Sequence, residues 1–102
     1  MPDHPEIDID TDAPLDELVQ ELFAALAATE ELPVDRDAGR WIGEAQAVAG
    51  DAASGGLDES VVRERVARVR ELLDHVESTG HEGADERVER ARRLAVAIGK
   101  RE

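Results

Sequence analysis

A glutamate and two histidines in the second half of the chain are the residues best suited to hold a metal ion. Glu71 and His75 lie four positions apart, which places both side chains on one face of a helix. His81 follows in a loop that could fold back toward them, and such a set suits a borderline or hard divalent cation. The Glu-x-x-His pairs of di-iron bundles and the His-Glu-x-x-His motif are both absent from the sequence. In a chain with 25 acidic residues, we therefore interpret these three as surface residues near a helix end, and we predict no metal or cofactor.

Acid–base and nucleophilic chemistry find little support in the sequence. The chain has no cysteine, and no carboxylate recurs on a predicted apolar face, where burial would shift its pKa. Gly55 and Gly56 follow a predicted helix and carry no lysine, unlike a phosphate-binding loop. Glu17 and Glu21, four positions apart, resemble part of the metal-binding helix of all-α nucleotide pyrophosphohydrolases. That resemblance implies a second acidic motif, which is missing. We assign no catalytic residue, and a metal-dependent enzyme that uses helix carboxylates and His75 stands as an alternative function.

Two predicted helices in the second half of the chain are rich in arginine, as in proteins that bind nucleic acids. Around each helix these arginines fall on both sides of the apolar face and form no single stripe. Four of them follow an acid by four residues, in the order that stabilises a helix: Glu59–Arg63, Glu64–Arg68, Glu86–Arg90 and Glu89–Arg93. Aromatic residues for base stacking are nearly absent, and the acidic first half repels phosphate. We predict salt-bridged surface faces, and a nucleic-acid-associated regulator stands as a second alternative.

A band of small residues on the second predicted helix could accept another helix. Gly39, Gly43, Ala47 and Gly50 lie about 100–180° from the core-facing residues of that helix. Small side chains let helices approach closely. We therefore predict that this face is an interface for a protein partner or a second copy of the chain, and that Trp41, at the edge of the core-facing apolar stripe, is a further candidate interface residue. Trp41 also fits a role as an anchor in the core, and glycines can be merely tolerated on an exposed face.

The charge of the chain is distributed unevenly. The net charge is −13, and all of the excess lies in residues 1–58, where Arg36 and Arg40 are the only basic residues. This acidic, lysine-poor composition resembles the proteome of salt-accumulating haloarchaea. The resemblance implies a fold whose self-repulsion is screened by concentrated salt. The sequence shows no signal peptide and no apolar run of ~18–20 residues, so we expect a cytoplasmic protein without a membrane span.

Four apolar stripes with helical spacing must position all of these residues. They predict helices at about residues 13–30, 36–53, 59–78 and 84–98. The connecting loops are short, which favours antiparallel neighbours. We predict an all-α fold, an antiparallel up-down-up-down four-helix bundle, as a single domain over residues 12–102. Residues 1–11 hold two prolines and four acids, and we predict a disordered acidic arm there.

The sequence thus favours a small acidic helical module that acts through protein–protein contact, by self-association, in a high-salt cell. This prediction depends on the small-residue face of the second helix and on the lack of a catalytic constellation in the sequence. The residues identify no family.

Overall fold

The computed structural model describes Ile9 and residues 12–100. These residues form four α-helices: α1 Leu15–Ala27, α2 Arg36–Ala53, α3 Glu59–Leu73 and α4 Glu82–Lys100. Each helix packs against the next one in the chain, and α4 packs against α1. Helices that follow one another through short loops and close a ring in this way form an antiparallel four-helix bundle. The predicted all-α bundle is confirmed.

The core of the bundle is aliphatic and is built from the predicted stripes. α1 buries three leucines completely, Leu18, Leu22 and Leu26. α2 faces the core mainly with alanines, namely Ala38, Ala45, Ala49 and Ala52. Small side chains at a helix contact reduce the distance between the two axes. The bundle therefore has a leucine-rich helix and an alanine-rich helix side by side in its acidic half.

The helix ends differ from the sequence-based bounds mainly at the end of α3. The sequence predicts that this helix runs to about residue 78, but it ends at Leu73. The guanidinium of Arg92 on α4 donates hydrogen bonds to the carbonyls of Leu73, at 3.0 Å, and Val76. An arginine from a neighbouring helix thus binds one carbonyl group at the end of α3 and one just beyond it. Gly80, the next glycine along the chain, lies in the α3–α4 loop with φ +80°.

The predicted disordered arm falls almost entirely outside the described residues. Ile9 is the member of the arm that the structure describes. Its side chain is partly buried and packs against the core.

Candidate functional site

An apolar groove runs along the outer surface between α1, the α1–α2 loop and α2. Its volume is about 390 Å³. Its walls come from all three segments: Phe23 from α1, Thr29, Glu30, Leu32 and Val34 from the loop, and Gly39, Ile42, Gly43, Gln46, Ala47 and Gly50 from α2. We call this feature the α2 groove. It contains every small residue of the interface predicted from the sequence.

Two of the groove glycines make room for side chains of the same chain. A Cβ atom at Gly39 would lie 3.3 Å from Cγ2 of Val34, and one at Gly50 would lie 3.2 Å from Cε1 of Phe23. Both distances are tighter than ordinary van der Waals contact. Gly39 therefore lets the α1–α2 loop close onto α2, and Gly50 lets the ring from α1 pack against the same helix.

Gly43 has a different environment from the other two. A Cβ atom there would meet no heavy atom within 4 Å, and the residue is exposed in the middle of α2. A glycine in an exposed helix interior costs about 0.8–1.0 kcal/mol relative to alanine. Packing within the bundle therefore does not require a glycine at this position.

Trp41 lies on the other side of α2 and joins this helix to the end of α3. Its ring stacks on the imidazole of His75, with centroids 3.9 Å apart and an interplanar angle of 10°. The guanidinium carbon of Arg40 lies 5.1 Å from the indole centroid. Trp41 is half-buried and packs against the core. Its placement fits the anchoring role that the sequence suggests, with a histidine as an unforeseen partner.

The candidate metal-binding residues each have another contact. His75 is stacked on Trp41, Glu71 accepts a hydrogen bond from Arg68 at 3.2 Å, and Nδ1 of His81 accepts one from the backbone N–H of Ala84 at 3.1 Å. Within Ile9 and residues 12–100, no group of three or more histidines and carboxylates could hold a metal ion.

His81 belongs to a hydrogen-bonded cluster that starts α4. The hydroxyl of Thr79, which is fully buried, donates to Oδ1 of Asp85 at 2.8 Å and accepts from the backbone N–H of His81 at 3.1 Å. The backbone N–H of Thr79 also donates to Oδ1 of Asp85, at 2.8 Å. The backbone N–H of Asp35, which precedes α2, donates to the carbonyl of Thr79 at 2.7 Å. This cluster fixes the α3–α4 loop against α2.

The hydrogen bonds from Thr79 hold the pKa of Asp85 below its usual range, with the backbone bond as the main cause. Because the folded-state pKa is lower than that of the unfolded chain, ionised Asp85 stabilises the fold above the unfolded pKa. This contribution is lost as the pH falls through the folded pKa. We expect Asp85→Asn to be less stable than the native chain at pH 7, and we expect the difference to shrink as the pH falls from 4 toward 2. Urea unfolding over this pH range measures it. Glu64→Gln, at an exposed carboxylate of α3, is the control and should show no such convergence.

The arginines of α3 and α4 are largely engaged in ion pairs. Two of the predicted pairs are present, Glu59–Arg63 at 3.6 Å and Glu89–Arg93 at 3.2 Å. Others have different partners: Arg68 pairs with Glu71 at 3.2 Å, and Arg90 pairs with Glu21 at 3.0 Å. The pair Arg90–Glu21 joins α4 to α1, which sequence spacing within one helix could not reveal. It also occupies one of the two carboxylates that resemble the pyrophosphohydrolase helix.

None of the helices described by the structure is long and apolar enough to cross a membrane.

Fold and surface together define a small all-α domain with an acidic first half and an apolar groove between α1 and α2. The chain belongs to the family described as "Domain of unknown function (DUF8152)", which it matches over residues 18–102. The match begins within α1 and includes the whole of α2, α3 and α4. Comparison with curated proteins and with solved structures finds no match to the chain.

Proposed function

We propose that this protein is a helical interaction module that self-associates through the α2 groove. The observation that carries the proposal is the open space over Gly43. A glycine there weakens α2 and fills no need of the monomer, but it permits a second helix to approach α2 closely. A residue that weakens the helix or strand in which it lies is typical of a functional position.

The walls of the groove give such a contact its apolar surface. Phe23, Leu32 and Val34 are each only partly buried, although they surround the glycine face of α2. A second copy that packs there would remove apolar surface from water at roughly 25 cal/mol per Å². Contacts between two copies of one chain are also the commonest way in which soluble proteins form dimers.

The acidic composition suggests the conditions under which this contact forms. In a dimer built on the α2 groove, the acidic halves of two copies lie near each other, and their repulsion opposes association. The Debye length falls to ~3 Å at 1 M salt, which nearly removes that repulsion. We therefore propose a salt-rich cell as the setting of this module, with a second copy as the partner.

Replacing Gly43 with leucine tests the proposal. The side chain enters open space in the monomer, so the fold should persist and helix propensity should rise slightly. The same side chain would block close approach by a second α2. We expect the native chain to sediment as a dimer in molar KCl and Gly43→Leu to sediment as a monomer with an unchanged circular dichroism spectrum.

A matched control is Ala67→Leu, which adds the same side chain to an exposed position of α3. This variant should associate as the native chain does. A native chain that remains monomeric in molar salt at all concentrations tested would overturn the proposal. So would a Gly43→Leu variant that dimerises normally.

A further inference from the structure

Two charged residues at the ends of α2 have the wrong sign for their own helix. Arg36 is the first residue of α2, and Asp51 lies in its last turn. The amino end of a helix carries a partial positive charge and the carboxyl end a partial negative charge. A cation at the start and an anion at the end therefore both destabilise α2 in the isolated bundle.

Neither charge has an ion-pair partner among the described residues. In the part of the chain that the structure describes, the side chains of Arg36 and Asp51 are exposed and take part in none of the ion pairs. Arg36 is also one of only two basic residues among the first 58. Both residues lie on the outer side of α2 that carries Gly43, within about 80° of it around the helix axis.

Arg36 and Asp51 are placed symmetrically about the centre of the glycine face. The midpoint between them falls between Gly43 and Glu44, so each lies 7.5 residues away, or roughly 11 Å along the helix axis. A two-fold axis that lies beside the outer face of α2, perpendicular to the helix and at the level of that midpoint, places Arg36 of one copy opposite Asp51 of the other copy, twice per dimer.

We infer that the second copy docks on the α2 groove with its α2 antiparallel, so that Arg36 of each copy pairs with Asp51 of the other. This inference rests on the proposed self-association. Antiparallel docking gives Arg36 and Asp51 of both copies a partner of opposite charge. It also places the amino end of each α2 near the carboxyl end of the other. Parallel docking would instead bring the two arginines together at one end and the two aspartates together at the other end, which like-charge repulsion disfavours. Charge therefore selects the orientation, while the apolar groove and Gly43 supply the contact.

Two charge-reversal variants of the full chain test the orientation. Arg36→Glu and Asp51→Arg each leave two like-charged contacts in an antiparallel homodimer, and we expect each alone to associate at least about tenfold more weakly than the native chain. Mixed in equal amounts, the two variants should form a heterodimer of about native affinity, because every contact in it joins opposite charges. Sedimentation of each variant and of the mixture, at the lowest salt concentration at which the native dimer persists, measures this.

Neither substitution should weaken α2 itself, because each one gives the end of the helix a charge of the sign that the helix dipole favours. The fold should be retained, and circular dichroism of each variant checks it. If the native chain dimerises but both variants dimerise alone as the native chain does, or the mixture stays as weakly associated as its components, the antiparallel arrangement is wrong while the proposed function stands. If the native chain does not dimerise, the proposed function itself fails.

Discussion

Replacing Leu22 with alanine should lower the free energy of unfolding by about 2–5 kcal/mol, the cost of deleting a fully buried leucine side chain. Leu22 has 0% of its surface exposed and lies in the middle of the α1 stripe. Part of the loss arises because the variant buries less apolar surface when it folds. The rest arises because the neighbouring side chains cannot fully close the cavity that the deleted atoms leave. A domain of this size has a total stability of only ~5–15 kcal/mol, so the variant should be close to the limit of folding.

The control for this prediction is the same substitution at Leu57, whose side chain is 38% exposed. Leu57→Ala should change the free energy of unfolding by no more than about 0.5 kcal/mol, as is usual for surface positions. Urea unfolding of both variants in molar salt, followed by circular dichroism, makes the comparison. Equal losses for the two leucines would mean that α1 does not form the core of the bundle as described.

The fold could be predicted from the sequence because the apolar stripes are almost unbroken. Leu15, Leu18, Leu22 and Leu26 repeat at helical spacing, and a helix whose apolar residues share one side must bury that side against other helices. The bounds of α2 agree with the prediction because Asp35 and Ser54-Gly55-Gly56 mark its two ends. Four such helices with short connections have few arrangements other than an antiparallel bundle.

The end of α3 could not be predicted because the contacts made there come from residues elsewhere in the sequence. Nothing near Leu73 signals a stop, and the next glycine is at position 80. The hydrogen bonds from Arg92 to the carbonyls of Leu73 and Val76 form only when α4 has packed against α3. The stack of Trp41 on His75 has the same origin, because it joins residues that are far apart in the chain and meet only through tertiary packing.

The roles of the individual glycines in the candidate site could not be predicted from the sequence either. The sequence places Gly39, Gly43 and Gly50 on one face, but it cannot tell which of them serve the bundle itself. That distinction depends on where Val34 and Phe23 come to lie, which is against Gly39 and Gly50. Only Gly43 keeps open space above it, so the structure narrows a predicted stripe to one position that a substitution can test.

The acidic first half of the chain should lose its order before the second half when salt is removed. The whole net charge of −13 lies in residues 1–58. Residues 1–35, which include α1, carry −11 of it; α2 carries −1 but packs against α1, whereas the charges of α3 and α4 nearly balance. The range of the repulsion grows from ~3 Å in 1 M salt to ~30 Å at 0.01 M. Well below molar salt, we expect the backbone amides of α1 and α2 to exchange with solvent faster than those of α3 and α4. In molar KCl the four helices should be protected to a similar degree.

The expected loosening of α2 has a second cause, because a dimer built on the α2 groove would also dissociate as salt is removed. Hydrogen exchange of the Gly43→Leu variant separates the two effects, since this chain should be monomeric at every salt concentration. If repulsion within one chain dominates, α1 and α2 of the variant will still lose protection first. If the loss of the partner dominates, the variant will show weaker protection of α2 at high salt and little further change on dilution. Uniform protection of all four helices at low salt, in both chains, would show that the acidic half needs no screening to remain folded.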